Sequence, residues 1–286
     1  MKILVTGANG QLGSELRNLS KKENSFNWIF TDLEDLDLTD LSNLEKNISY
    51  YQPKIIINCA AYTNVDNAES EPELASLINH KAVDIISKWS SSNKCKLVHI
   101  STDYVFDGSS SVPLKEDSVT SPVNTYGLTK LEGEKACLKN DSTSILIRTS
   151  WVYSSFGKNF VKTMSSLMNE RDSLNIINDQ IGSPTYAKDL AEVIINIINY
   201  KDWTPGLYNY SNEGEVSWFD FAKLIKKYFG YSVIINGVST DEYPTPAKRP
   251  RYSLLDKSKI KRTFNISIPK YEHSLEKCIK ILKNEK

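Results

Sequence analysis

The sequence predicts an α/β fold in which a doubly wound parallel sheet is followed by a smaller C-terminal α/β lobe. Three observations support this prediction. Short β-branched runs alternate with longer amphipathic stretches through the first half of the chain, the runs are continuously apolar, and a glycine-rich turn directly follows the first run. Uninterrupted apolar strands separated by helices are typical of parallel sheets covered on both faces.

The first half of the chain reads as an alternation of strands and helices. Clusters of β-branched and aromatic residues predict strands at residues 3–5, 28–30, 55–58, 97–100 and 144–148. Apolar residues spaced as on one helix face predict helices at residues 11–19, 41–50, 72–90 and 125–138. These elements define a first domain over residues 1–150.

The alternation loosens after about residue 150, where we predict the smaller lobe, residues 151–286. Its predicted helices are residues 160–170, 187–200, 217–229 and 271–283. The prediction leaves open that some of these helices, for example 187–200, pack against the first domain rather than within the lobe. Pro244, Pro246 and Pro250 remove backbone donors, so the segment around them cannot belong to regular structure.

Composition excludes several classes of partner. Thirty-five basic residues balance thirty-five acidic ones, so no long-range field would gather nucleic acid or an anionic membrane. No apolar run approaches the length of a membrane span, and no signal peptide is recognisable. The four cysteines form no C-x-x-C pair, which is typical of reduced thiols in a cytoplasmic protein and argues against a metal site.

The glycines Gly7, Gly10 and Gly13 stand between the first strand and the first helix. In that context they permit a tight turn and close approach of the backbone to a pyrophosphate, and the helix N-terminus adds unpaired N–H groups. We therefore predict a Rossmann-type NAD(P) site. Asp32, about 20 residues further on, is placed to accept from the adenosine ribose hydroxyls; a solvated loop acid is the alternative, and both stay open.

Further residues of the predicted cofactor site follow the second and third strands. Asp37 and Leu38 are positioned to flank the adenine. Ala60 and Ala61 are small residues just after a strand, where backbone passes close to a cofactor, although ordinary core packing also explains them.

A catalytic group is predicted from Thr102, Tyr126 and Lys130. Thr102 ends the fourth parallel strand, at the edge where ligands of such sheets bind, and Tyr126 and Lys130 share one face of the next helix. Next to a nicotinamide, these groups suit reduction of a carbonyl. Tyr126 would donate a proton to the carbonyl oxygen of the substrate, and Thr102 would hydrogen-bond that oxygen. An ammonium about 4 Å from the phenol contributes about 4 kcal/mol, so we expect Lys130 to lower the pKa of Tyr126 by about 3.

Taken with four later segments, these residues resemble the extended short-chain dehydrogenase/reductase superfamily and, within it, the dTDP-4-dehydrorhamnose reductases. The segments are STDYVFDG (101–108), SWVY (150–153), NDQIGSPT (178–185) and PAKRP (246–250). The resemblance runs over nearly the whole chain and implies reduction of the 4-keto group of dTDP-4-dehydro-L-rhamnose to dTDP-L-rhamnose with NADPH or NADH. Reduction of another nucleotide-linked 4-keto-6-deoxysugar and a non-catalytic regulatory subunit are the alternatives.

The resemblance also assigns site residues by position. It implies the catalytic roles of Thr102, Tyr126 and Lys130, and a nucleotide sugar as the small-molecule partner. The implied cofactor-binding residues are Gly10, Gln11, Leu12, Asp32, Asp37, Leu38, Ala60, Ala61 and Tyr62. The glycine pattern adds Gly7 and Gly13, and the predicted catalytic group adds Tyr126 and Lys130. The implied substrate-binding residues are Thr102, Tyr104, Val105, Tyr126, Trp151, Gln180 and Arg249.

Two of these substrate assignments have a physical basis. Trp151 offers a flat ring to a sugar or thymine, and Arg249 offers a forked donor set to a diphosphate. A core aromatic and a solvated loop cation are the respective alternatives. Some relatives resemble metal-bridged dimers with an acid at the position of Glu15, but Lys188 stands where a second acidic patch is expected. We therefore predict no metal, and a homodimer stays open.

Overall fold

The computed structural model of the protein describes residues 1–23 and 25–284. Its main feature is a six-stranded sheet with strand order β10-β5-β4-β3-β1-β2, in which every neighbouring pair is parallel. This confirms the doubly wound α/β fold. The strands are β1 Lys2–Thr6, β2 Asn27–Phe30, β3 Ile55–Asn58, β4 Lys96–Thr102, β5 Ile145–Thr149, β6 Val152–Tyr153, β7 Ser173–Ile177, β8 Ile181–Gly182, β9 Thr185–Tyr186, β10 Gly206–Asn209, β11 Val216–Ser217 and β12 Ile234–Val238.

The helices follow the predicted positions closely, with one interruption. The helix predicted over residues 72–90 is divided, because a π-helical turn at Leu77–Lys81 separates its two α-helical parts. The helices are α1 Gln11–Ser20, α2 Leu44–Tyr51, α3 Val65–Ala68, α4 Pro72–Ser76, α5 Ala82–Ser92, α6 Thr125–Asn140, α7 Phe160–Glu170, α8 Ala187–Asn199, α9 Trp218–Phe229, α10 Ser258–Phe264 and α11 Tyr271–Asn284.

Strand side chains alternate between two apolar layers, one on each face of the sheet. On β1, Ile3 and Val5 join the layer that includes residues of α1 and α8, whereas Leu4 joins the layer with α2 and α5. All three side chains are fully buried. The period of two residues along a strand produces this division, and burial on both faces explains why the strands are apolar throughout.

The chain returns to the main sheet after residue 151. Strand β10 adds to the edge of the sheet beside β5, with Tyr208 paired to Ile147, and α8 packs against α1. No strand was predicted at Gly206–Asn209, because its sequence GLYN holds no β-branched residue. Residues 187–200 were named as a helix that can pack on the first domain, and α8 does contact α1 there. The division of the chain into two domains at residue 150 stays a prediction.

A second apolar cluster lies in the later part of the chain. It joins α7, α9 and α11 through Met164, Phe221, Ile225 and Leu275. Strand β7 pairs in parallel with β12 beside these helices. Within the described residues, no helix combines the length and apolar character needed to cross a bilayer.

Candidate active site

A cleft of about 760 Å³ opens at the carboxyl ends of β1 to β5. It lies where the chain leaves β1 and β3, the two neighbours at which the strand order reverses direction, which is where ligands of open α/β sheets bind. Fourteen of the predicted site residues line this one cleft: Gly7, Gly10, Gln11, Leu12, Asp32, Asp37, Leu38, Ala60, Ala61, Thr102, Tyr104, Tyr126, Lys130 and Trp151.

Other predicted site residues do not line the cleft. Gly13 packs beneath the turn, Tyr62 directs its hydroxyl to the carboxylate of Glu71 at 2.5 Å, and Val105 is fully buried in a small apolar cluster. Gln180 is buried and donates to the Thr240 hydroxyl at 3.1 Å.

Arg249 also lies beyond the cleft wall, in a bidentate pair with Asp66. Its two terminal nitrogens donate to the two carboxylate oxygens at 3.1 and 2.8 Å. The guanidinium also interacts electrostatically with Tyr104, which does line the cleft. The forked donor set predicted for a diphosphate therefore holds a carboxylate in this structure.

The glycine turn is fitted too closely for side chains. Gly7 has a φ of +63°, and a Cβ there would lie 2.7 Å from the Ala60 backbone. A Cβ at Gly13 would lie 2.4 Å from the carbonyl oxygen of Gly7. Helix α1 begins at Gln11, and no side chain caps it because the N-cap residue is Gly10. Its first N–H groups are therefore available to an anion in the cleft. These features fit a dinucleotide pyrophosphate.

We expect Gly7→Ala to destabilise the protein more than a positive φ alone explains. The backbone strain costs about 1–2 kcal/mol, and the contact with Ala60 raises the total to about 3 kcal/mol or more. Gly230→Ala is the matched control, because Gly230 has a φ of +84° but nothing within 4 Å of an added Cβ. Urea unfolding of both variants measures the difference, and equal losses would contradict the packing account.

Asp32 lines this cleft just after the end of β2. Its carboxylate accepts from the backbone N–H of Asn9 at 2.7 Å and of Leu33 at 2.9 Å. The side chain thus ties the glycine turn to the end of β2 while still lining the cleft. This placement favours the ribose-binding hypothesis over a solvated loop acid.

Tyr126 and Lys130 stand one turn apart at the start of α6. The helix begins there because the Asn124 side chain accepts from the N–H of Gly127 at 2.7 Å. The ring of Tyr104 packs edge-on against Tyr126, with centroids 5.5 Å apart. These contacts hold the phenol toward the cleft.

The electrostatics of this pair differ from the sequence expectation. Burial raises the pKa of Tyr126 to about 12, opposed by hydrogen bonding from the Thr102 hydroxyl. Burial lowers the pKa of Lys130 to about 8, and its ammonium donates to the carbonyl oxygen of Ile100 at 2.6 Å. The expected lowering of the Tyr126 pKa is wrong for this structure, because removal of the phenol from water outweighs the opposing contact.

Asp103 is a cleft residue that sequence reasoning missed. It is only 1% exposed, and it accepts from the Thr102 hydroxyl at 3.2 Å. Burial raises the pKa of its carboxyl to about 7, with hydrogen bonding from Ser253 and Thr102 opposing the rise. A buried acid next to the proposed catalytic threonine influences which way that hydroxyl points. Its position between Thr102 and Tyr104 was the only signal available.

A loop after β6 supplies further cleft residues that were not predicted. Gly157, Lys158 and Asn159 line the cleft near the glycine turn. Gly157 adopts a φ of +64°, so a glycine within the run SSFGKN was the signal for a sharp turn.

Trp151 lines the cleft with a constrained ring. Its φ is +47°, and it stacks on Trp218 with centroids 3.6 Å apart and planes 9° from parallel. A Cβ on Gly182 would lie 2.9 Å from the same ring. Because Trp218 covers one face, stacking of a ligand on that face is excluded.

The fold and cleft define the protein as a dinucleotide-dependent oxidoreductase of the short-chain dehydrogenase/reductase type. The RmlD substrate binding domain family matches residues 1–284. A dTDP-4-dehydrorhamnose reductase of Salmonella typhimurium is 40% identical over 98% of this chain and 97% of its own. The chain belongs to the dTDP-4-dehydrorhamnose reductase family.

Solved structures agree with this assignment. A dTDP-4-dehydrorhamnose reductase from Clostridium acetobutylicum superposes with a TM-score of 0.94 at 38% identity, covering 99% of this chain and 100% of that one. A dTDP-4-dehydrorhamnose reductase from Bacillus anthracis, solved with NADP, gives 0.93 at 38% identity over 98% and 99% of the two chains.

Proposed function

We propose that this protein reduces the 4-keto group of dTDP-4-dehydro-L-rhamnose to give dTDP-L-rhamnose, using NADPH or NADH. The observation that carries the proposal is the convergence of Thr102, Tyr126 and Lys130 on a cleft whose other wall is the glycine turn. The substrate comes from the family, since the relatives that match nearly the full chain carry this name.

When bound, the reduced nicotinamide supplies a hydride to the carbonyl carbon. The residues of the chain then manage the charge that develops on the oxygen. Tyr126 remains protonated across the physiological range because its pKa is about 12, so it is available as the proton donor. The Thr102 hydroxyl donates its single proton to Asp103 in this structure. It gives a second hydrogen bond to the substrate oxygen once that proton turns from Asp103 to the substrate.

Lys130 places a positive charge beneath these groups. Lys130 is 2% exposed, and the carbonyl of Ile100 near the end of β4 fixes the position of its ammonium. An ammonium has three donors, so two remain for a nicotinamide ribose and for polar groups of the cleft. We assign it the orientation of the cofactor and the stabilisation of negative charge on the phenol after proton transfer.

The test is the oxidation of NADPH by the purified protein in the presence of dTDP-4-dehydro-L-rhamnose. We expect substrate-dependent loss of absorbance and formation of dTDP-L-rhamnose. Folded protein that binds NADPH but leaves this sugar unreduced would overturn the substrate assignment. Intact Thr102, Tyr126 and Lys130 in one cleft argue against a non-catalytic subunit.

We expect kcat/KM to fall as pH rises above about 8. The charged form of Lys130 is present below its pKa of about 8 and is lost above it, whereas Tyr126 stays protonated. A profile of kcat/KM against pH reports groups of the free enzyme and should show this limb. Lys130→Arg should move the limb upward or remove it, and a wild-type profile that is flat to pH 10 would contradict the assignment.

A cytoplasmic location and a nucleotide-sugar partner complete the proposal. Cys59, Cys95, Cys137 and Cys278 are all free thiols, which suits a reducing compartment that also supplies NADPH. A homodimer stays a prediction.

A further inference from the structure

The loop of residues 154–159 crosses from the end of β6 to the start of α7 and is fastened to the glycine turn. The Asn159 amide donates to the side-chain oxygen of Gln11 at 3.0 Å and to the Ser154 carbonyl at 2.8 Å. The Ser154 hydroxyl donates to Glu15 on α1 at 2.6 Å. Elements of both halves of the chain therefore fix this loop beside the N-terminus of α1.

Lys158 lies on this loop with its side chain exposed. A Cβ on the preceding Gly157 would lie 3.1 Å from the Gln11 side chain and 4.0 Å from the Gln11 backbone nitrogen. Gln11 is the first residue of α1. Lys158 therefore follows directly after a glycine that packs against the N-terminus of this helix, where unpaired N–H groups are available to an anion. A flexible stem lets its ammonium reach over the same space.

The charges of the cleft wall make this lysine distinctive. Among the described residues that line the cleft, the acids are Asp32, Asp37 and Asp103, and the cations are Lys130 and Lys158. Lys130 is buried and donates to Ile100, at the catalytic end. A pyrophosphate with two negative charges at the glycine turn would therefore meet one accessible cation of the described wall, Lys158.

We propose that the Lys158 ammonium binds the cofactor pyrophosphate, closing it against the glycine turn from the opposite side. This inference rests on the proposed use of NADPH or NADH. The helix N-terminus supplies fixed N–H donors, and Lys158 supplies the formal charge that those donors lack. Because the pyrophosphate is common to both dinucleotides, the contact contributes to affinity without selecting between them.

The experiment compares dissociation constants of NADPH and NADH for the wild type, Lys158→Gln and Lys158→Arg, measured by quenching of intrinsic fluorescence. We expect Lys158→Gln to weaken both dinucleotides by the same factor, about 10-fold, as expected for one lost charged contact. Lys158→Arg should restore most of the affinity. The loss should shrink as salt concentration rises, because the contact is exposed. Lys227→Gln, an exposed lysine on α9, is the matched control.

The outcomes separate this inference from the proposed function. A wild type that binds neither dinucleotide would defeat the proposed function itself. A wild type that binds both, with Lys158→Gln unchanged, would defeat only the role of Lys158. Weakening of NADPH alone would place the lysine at the 2′-phosphate instead, and a raised KM for the sugar nucleotide alone would place it at the substrate. Both results overturn the pyrophosphate assignment.

Discussion

Tyr126→Phe is expected to reduce kcat for keto-sugar reduction by about 10²-fold or more, the usual scale for loss of a positioned proton donor. The substitution removes one hydroxyl and keeps the ring that packs against Tyr104 at 5.5 Å, so the fold and the cleft wall should persist. Affinity for NADPH should stay close to that of the wild type, because the phenol acts on the reacting oxygen. Steady-state rates and fluorescence titration measure the two quantities on the same preparation.

Tyr50→Phe is the matched control for this prediction. Tyr50 is 82% exposed on α2 and does not line the cleft, so the same loss of a hydroxyl should leave kcat unchanged. If Tyr126→Phe kept the wild-type kcat, another group would be the donor. Asp103 would then be the first residue to test, because its carboxyl has a pKa of about 7 beside Thr102.

Sequence reasoning worked best where local pattern and tertiary structure agree. The strands of the first half are apolar because both faces are covered, so the pattern that predicts them is the same one that buries Ile3, Leu4 and Val5. The glycine turn and the Tyr126–Lys130 spacing are likewise local. Strand β10 escaped prediction because the sheet edge beside β5, rather than its own residues, makes it a strand.

Properties that depend on burial or on contacts between distant parts of the chain could not be predicted from the sequence pattern. The charge on Lys130 was expected to dominate the pKa of Tyr126, but burial of the phenol reverses the sign. Asp66 meets Arg249 across more than 180 residues, so no spacing could reveal the pair. Lys158 acquires its position because Asn159 contacts Gln11, and the sequence pattern gives no indication of that contact.

Arg148→Met is expected to destabilise the protein by about 3–5 kcal/mol, because it leaves a buried carboxylate without its partner. Arg148 on β5 and Glu134 on α6 form a bidentate pair at 2.9 and 2.7 Å, with side chains 4% and 2% exposed. The guanidinium also lies 5.1 Å from the Phe106 ring centroid. Urea unfolding monitored by circular dichroism measures the loss.

The double variant Arg148→Met with Glu134→Gln distinguishes an unpaired charge from lost packing. If the unpaired carboxylate causes the loss, the neutral amide should recover a large part of the stability, since the cost of burying a charge is gone. The Glu134 carboxylate lies one helical turn from Lys130 and raises the pKa of that lysine. Loss of the Arg148 charge should strengthen this effect, so the single variant should lose kcat/KM at a higher pH than the wild type does. The double variant has no carboxylate at position 134, so its kcat/KM should fall at a lower pH than that of the wild type. Equal instability of the single and double variants, with no movement of the limb, would show that the pair acts through packing alone.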